Sequence, residues 1–119
     1  MYDKKRSYIY NKAYYEAFIA ESIPIFDQIR QWAIDRDIYE KGDIKTQLIK
    51  LHEETGELSK AVLDGDKEGI IDAIGDSIVV LTNLAKFADT TIENCMQSAY
   101  DEISYRTGRM INGTFVKDK

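Results

Sequence analysis

The sequence predicts an all-α protein that forms one domain over residues 1–119. Long stretches carry apolar residues at a spacing near 3.6, and the chain has one proline and seven glycines, which favours helices over sheet. A chain of this length buries roughly two thirds of its unfolded surface in one core. We expect an antiparallel four-helix bundle over about residues 24–107, with an extra N-terminal segment and a C-terminal arm at 108–119.

The first part of the chain predicts two helices and a loop. A tyrosine-rich segment predicts a short helix near residues 11–21, ended by Ser22-Ile23-Pro24. Pro24 also suits the first position of a helix, and the apolar stripe behind it predicts a helix that reaches about Arg36. The segment 37–43, which contains Gly42, predicts a loop.

Two longer helices follow, separated by a short break. The first is expected from about Asp43 to Leu63, and the second from about Lys67 to Ala88. The sequence Asp64-Gly65-Asp66 breaks the helical pattern between them. Helices joined by so short a connection pack antiparallel.

The C-terminal part predicts one more helix and an arm. Thr90 and Glu93 form a capping box, which opens a helix that fades near Arg106. Asn112-Gly113 is a turn signal flanked by apolar residues. We therefore expect an irregular or hairpin-like arm that packs on a neighbour.

Charge is unevenly distributed along the chain. The net charge is -5, and residues 52–76 alone hold eight Asp or Glu against Lys60 and Lys67, a local balance of -6. This argues against a nucleic-acid partner, because phosphate binding needs a clustered positive face. The acidic run suggests a cation site, although a solvated helix surface is the more common reason for such runs. No apolar run follows the charged N-terminus, so no membrane partner and a cytoplasmic location are expected.

Asp72 and Asp76 are the only ionisable side chains between residues 69 and 86, and they are one helical turn apart. The surrounding stretch is apolar nearly all round, which is typical of a buried helix. Two carboxylates in a core repel each other and lose hydration unless a cation lies between them. Antiparallel packing can bring Glu54 and Glu57 to the same place. Three or four carboxylates form an all-oxygen site that suits Mg²⁺ or Mn²⁺ and suits zinc poorly.

The apolar circumference of this helix also predicts self-association. Its apolar side chains cover too much of the helix for the edge of a small monomer, and a second subunit would bury them. We expect a homodimer or a dimer of dimers. The residues concerned are Ile71, Ile74, Ile78, Val79, Val80, Leu81, Leu84 and Phe87.

Three segments together resemble the MazG-type nucleoside triphosphate pyrophosphohydrolases of the all-α NTP pyrophosphatase superfamily. They are residues 53–58 (EETGEL), 72–76 (DAIGD) and 83–86 (NLAK). The family pattern is EExxE, a gap, ExxD and, in many members, an Asn-Leu-Ala-Arg-like segment. The resemblance covers about Phe26 to Arg109. It implies hydrolysis of a nucleoside triphosphate between the α and β phosphates, with Mg²⁺ held by the ExxE and ExxD carboxylates.

Residue by residue, the resemblance assigns most of the metal ligands and shows one departure. Glu54 and Glu57 match the ExxE ligands, and Asp76 matches the Asp of ExxD. The Glu of ExxD falls on Ala73, which cannot bind a metal. We expect Asp72, in the adjoining position, to serve instead.

The remaining site residues are expected around these ligands. Glu53 or Glu54 would orient the attacking water as general base. Many family members have a lysine where this chain has Glu102, so phosphate neutralisation would fall to Arg106, Arg109 or Lys117. Trp32 would stack on the base or belong to the core, and Asn83 would hydrogen-bond the nucleotide or link helices as a buried amide.

An alternative of a different class is a catalytically inactive helical interaction module of the same fold. Ala73 and Glu102 would then mark lost catalysis. The four retained carboxylates weigh against this alternative, because an idle cluster of buried acids destabilises a protein. The sequence fixes neither the base nor the sugar of the substrate.

Overall fold

The chain folds into five helices followed by a β-hairpin, in the residues 23–119 that this computed structural model describes. The elements are α1 (Ile25–Asp35), α2 (Ile38–Lys41), α3 (Ile44–Asp64), α4 (Lys67–Phe87), α5 (Ile92–Ile103), β1 (Gly108–Ile111) and β2 (Thr114–Lys117). The predicted all-α class is confirmed. The helix predicted near residues 11–21 lies outside the described residues.

The α3–α4 pair is defined by local signals that the sequence contains. The Asp43 side chain accepts a hydrogen bond from the Thr46 backbone N–H at 2.8 Å and so caps α3. Gly65 ends α3 with a φ of 67°, in the left-handed region that glycine adopts at little cost. Asp66 then caps α4 by accepting from the Gly69 N–H at 3.0 Å. Two helices of 21 residues thus turn back on each other, and the turn sets which of their faces meet.

Helix α4 lies at the centre, in contact with α1, α2, α3 and α5. The side chains that it buries are small, which lets the neighbouring helices approach closely; they are Ala73, Ser77, Val80, Thr82, Asn83 and Ala85. Its large apolar side chains Ile71, Ile74, Ile78 and Leu81 are exposed. In the single chain, therefore, α4 is buried on one side rather than all round as its composition predicted.

The segment 37–43, predicted as a loop, contains the short helix α2. Asp37 adopts a φ of 59°, in the left-handed region that Asp tolerates better than most residues. Arg36 and Asp37 are the two residues between α1 and α2, and the chain becomes helical again directly after Asp37. The sequence signals for a break were correct, but the break is shorter than predicted.

The start of α5 also differs from the prediction. Thr91, rather than Thr90, caps the helix by accepting from the Asn94 N–H at 3.0 Å. With Thr91 as the cap, Glu93 is the second helical residue and not the third, which a capping box needs; its side chain instead forms an ion pair with Arg30 of α1 at 2.6 Å. The helix ends at Ile103, one turn before the predicted end near residue 106.

The C-terminal arm is a two-stranded antiparallel hairpin, as its turn signal predicted. Asn112 and Gly113 both have positive φ, at 50° and 83°, as a tight hairpin turn requires. Met110 pairs with Phe115 across the strands, and both are exposed. An isolated two-stranded hairpin is marginally stable in water, so packing of the arm on a neighbour remains a prediction.

Within residues 23–119, the helices are either too short or too polar to cross a bilayer.

Candidate functional site

Three carboxylates converge where α3 faces α4. Glu54 and Glu57 of α3 and Asp76 of α4 each offer one oxygen, and these oxygens all lie within 4.8 Å of one another. The i, i+3 spacing places the two glutamates on one side of α3, and the short Gly65-Asp66 turn brings α4 back along that side. This is the convergence that the sequence predicted for these three residues.

Glu54 is the unusual member of this carboxylate cluster. Its residue is only 8% exposed, and its Oε2 atom has no hydrogen-bond partner. The Lys50 ammonium lies 3.8 Å from the other oxygen, at the long end of an ion pair. Burial raises the pKa of Glu54, and the negative charges of Glu57 and Asp76 raise it further. A buried carboxylate with an unpartnered oxygen is costly, and a bound divalent cation would remove that cost.

The donor set of the cluster fits a hard cation. All of its ligand atoms are carboxylate oxygens, the donors that Mg²⁺ and Mn²⁺ prefer. The cluster includes no imidazole or thiolate, so zinc fits it poorly. The orphaned Oε2 of Glu54 and this chemistry together make the three residues suitable holders of a hard divalent cation.

Asp72 lies beside the cluster but is not part of it. It is exposed, and together with Glu57 and Asp76 it lines an acidic cavity of about 320 Å³. Ala73, where the family pattern has a glutamate, is 3% exposed and lines the same cavity. Positions 72 and 73 therefore both border the space next to the cluster, and of the two only Asp72 supplies a carboxylate.

Glu53 is also outside the cluster. Its side chain is well exposed, and Lys50 lies 3.7 Å away. Of the two candidates for general base, Glu54 is the one that the fold brings to the other carboxylates.

Trp32 does not belong to the core, so that alternative is wrong. The residue is 43% exposed and borders a cavity of about 350 Å³, which is also lined by Gln28, Ile29, Asp76 and Val79. Because Asp76 lines both this cavity and the acidic one, the tryptophan cavity and the carboxylate cluster are neighbours. The sequence could have suggested this aromatic site through the i, i+4 spacing of Trp32 and Arg36, which allows the guanidinium to stack on the indole.

Asn83 follows the structural alternative that the sequence left open. It is 2% exposed, and its Oδ1 accepts a hydrogen bond from the Tyr39 hydroxyl at 2.9 Å. Its Nδ2 donates to Gln47 Oε1 over 3.5 Å. The amide thus links α4 to α2 and α3, and its burial corrects the expectation that it contacts the nucleotide.

The basic residues expected at the phosphates do not line either cavity. Arg106 pairs with Glu102 at 2.9 Å, while Arg109 and Lys117 are exposed on the hairpin strands. The acidic cavity is lined by one basic side chain, Lys60, which pairs with Asp64 at 2.7 Å. Among the described residues, the single chain therefore brings acids to the site without the predicted cations.

Comparison with known proteins identifies a family that this sequence matches. A sequence model of the MazG nucleotide pyrophosphohydrolase domain matches residues 42–109, more than half of the chain. This segment includes α3, α4, α5 and the whole carboxylate cluster, but not α1 with Trp32.

One curated relative is an uncharacterized 18.2 kDa protein from the rep-hol intergenic region of Haemophilus phage HP1 (strain HP1c1). It is 41% identical over 68 residues, which are 57% of this chain and 42% of the relative. The chain thus matches less than half of that protein's length. No solved structure matches the chain significantly.

Proposed function

Because this chain belongs to the MazG nucleotide pyrophosphohydrolase family, we propose that it is a Mg²⁺-dependent enzyme that cleaves a nucleoside triphosphate, ribo or deoxy, between the α and β phosphates. The products would be the nucleoside monophosphate and pyrophosphate, and the role would be sanitation of the nucleotide pool. The observation that carries this proposal is the carboxylate cluster of Glu54, Glu57 and Asp76 with its buried, unpartnered oxygen. Mn²⁺ would serve in place of Mg²⁺.

The residues of the chain have distinct tasks in this reaction. Glu54, Glu57 and Asp76 would hold the cation. When bound, Mg²⁺ supplies positive charge that neutralises the phosphates and lowers the pKa of water. A carboxylate must also accept the proton of the water that attacks phosphorus as the P–O bond that bridges the α and β phosphates breaks. Glu53 or Glu54 would be that carboxylate, and Glu54 is the one of the two that lies with Glu57 and Asp76.

Asp72 would be an accessory acid of the same site, since it lines the acidic cavity. We predict that Asp72→Ala lowers turnover by about 10- to 100-fold, the loss typical of a group that supports metal ligands. Asp64→Ala is the matched control, because Asp64 lines the same cavity but is paired with Lys60. Steady-state pyrophosphate release would measure both variants. Wild-type activity in Asp72→Ala would mean that three carboxylates suffice.

The enzyme would act as a homodimer or a dimer of dimers. The exposed apolar side chains of α4 and of the hairpin support this, because surfaces of this kind are usually covered in solution. Association would also offer a source for the missing positive charge. Arg106, Arg109 and Lys117 of one copy would then neutralise phosphates bound by the other.

We predict that sedimentation velocity shows a dimer or larger species at micromolar concentration. Replacing both Ile74 and Ile78 of α4 by Asp should shift the population toward monomer, since an interface cannot bury unpaired charges cheaply. A stable wild-type monomer at that concentration would contradict the homodimer.

The activity itself is tested by pyrophosphate release over a panel of canonical, deoxy and modified nucleotides, with Mg²⁺, with Mn²⁺ and with EDTA. Release that requires a divalent cation supports the proposal and identifies the preferred base and sugar. A folded protein that releases no pyrophosphate from any of them would favour the inactive interaction module.

A further inference from the structure

Trp32 borders two cavities along α1. The first is the tryptophan cavity, which it shares with Asp76 and Val79 of α4. The second, of about 410 Å³, is lined by Arg36 and by other residues in and before α1, and it includes no residue of α4. Since Asp76 also lines the acidic cavity, a ligand that begins against Trp32 and passes Asp76 would reach the carboxylate cluster.

Arg36 holds the indole of Trp32 from the second cavity. Its Cζ atom lies 4.6 Å from the centroid of the ring, and its Nη1 donates a hydrogen bond to the Trp32 carbonyl oxygen at 3.1 Å. The guanidinium is thus anchored to the backbone of the residue on which it stacks. Because Arg36 does not line the tryptophan cavity, the indole surface toward Asp76 is left uncovered by it.

The walls of the tryptophan cavity suit a flat aromatic ligand. Ile29 and Val79 contribute apolar surface, and Trp32 contributes an aromatic ring that solvent reaches. Stacking on such a ring tolerates any base, because every base has a π face. A ring already fixed by a cation loses less freedom when the ligand binds.

We propose that the tryptophan cavity binds the nucleobase of the substrate against the indole of Trp32, and that Arg36 is a positioning residue that fixes this indole. The identity of the ligand as a nucleotide rests on the proposed function. The base lies in the tryptophan cavity, and its phosphates extend past Asp76 into the acidic cavity. The α1 residues that form this subsite precede the segment that the family shares.

Uncharged deoxynucleosides test the subsite without any metal or hydrolysis. The chain has one tryptophan, so the ¹⁵N-labelled protein gives a single indole N–H resonance. Titration with the four deoxynucleosides in EDTA should shift this resonance saturably for at least one of them, while 2-deoxyribose leaves it in place. Absence of a saturable shift with all four would overturn the proposal.

The role of Arg36 is tested in the same titration. Arg36→Ala should weaken the nucleoside affinity by about 2- to 5-fold, the range expected for an exposed cation–π contact, and Arg36→Lys should retain part of it. Lys41→Ala is the control, because Lys41 is an exposed cation on α2 that lines neither cavity. An Arg36→Ala variant with wild-type affinity would overturn the positioning role.

Kinetics separate this inference from the proposed function. Trp32→Ala should raise KM for nucleotides by about 5- to 150-fold, the range of base–aromatic stacking, with little change in kcat. Inhibition by inorganic tripolyphosphate, which has no base, should be unchanged, and Trp32→Phe should restore part of the nucleotide affinity. Unchanged KM in an active Trp32→Ala variant overturns the inference and leaves the function standing. Saturable nucleoside binding by a protein that hydrolyses no nucleotide would overturn the proposed function and leave the inference standing.

Discussion

Glu57→Gln is expected to lower Mg²⁺-dependent turnover by at least about 100-fold while leaving the helical content unchanged. Glu57 is one of three carboxylates whose oxygens lie within 4.8 Å of one another, and the substitution removes its charge with little change of shape. Loss of a group that only supports a metal ligand lowers metal affinity or activity by about 10- to 100-fold. Loss of a ligand itself should therefore lower turnover by more. Turnover and circular dichroism measure the two parts of this prediction.

Glu68→Gln is the matched control for this variant. It makes the same chemical change in the first turn of α4, outside the cluster and outside both cavities. Wild-type turnover in the control together with loss in Glu57→Gln would place the effect at the cluster. Normal turnover in Glu57→Gln would contradict the assigned site.

Glu54→Gln is expected to stabilise the metal-free protein and to abolish its stabilisation by Mg²⁺. The Glu54 carboxylate is buried, lacks a partner for Oε2 and faces the charges of Glu57 and Asp76. Removing its charge should add about 1 kcal/mol to the free energy of unfolding, which is about 4–8 °C in the midpoint of a small domain. A ligand that binds only the folded state raises the midpoint of thermal unfolding. Mg²⁺ should therefore raise the midpoint of wild type but not that of Glu54→Gln.

The pH dependence of this effect has a definite sign. Because the pKa of Glu54 is raised in the folded protein, the folded state keeps a proton over a pH range in which the unfolded chain has lost it. The contribution of this proton to the free energy of unfolding is fully present below the ordinary pKa of about 4.5. It is lost as the pH rises through the raised pKa of the folded protein. Thermal melts in EDTA should therefore show a Glu54→Gln advantage that grows with pH. An advantage that shrinks with pH, or a variant that melts below wild type at pH 7, would contradict this account of Glu54.

Local signals predicted the helices that build the site better than they predicted α2 and the start of α5. Asp43, Gly65 and Asp66 carry their own capping or turn chemistry, so the bounds of α3 and α4 were predictable to within a residue or two. At α5, two adjacent threonines could each cap the helix. In the structure Thr91 caps the helix, and Glu93 pairs with Arg30, which is 63 residues away in the sequence.

At the candidate site, too, some features were predictable from the sequence and others were not. Helical spacing was enough to predict the convergence of Glu54, Glu57 and Asp76, but it also predicted Asp72 among the ligands, and Asp72 lies outside the cluster. Helical spacing could not predict that the Asn83 side chain accepts a hydrogen bond from Tyr39, 44 residues away. It also could not predict that Trp32 lies at a cavity beside Asp76. Those outcomes depend on how α1 and α2 pack against α4, which periodicity does not fix. The four-helix bundle, the single domain and the roles of Arg106, Arg109 and Lys117 remain predictions.

The position of bond cleavage tests the central claim most directly. A nucleotide that proves to be a substrate would be incubated with the protein and Mg²⁺, and the products would be followed by ³¹P NMR, with Glu57→Gln in parallel. We expect nucleoside monophosphate and pyrophosphate to appear in equal amounts with wild type, and neither with the variant. Nucleoside diphosphate and inorganic phosphate as first products, or equal rates for the two proteins, would contradict the account.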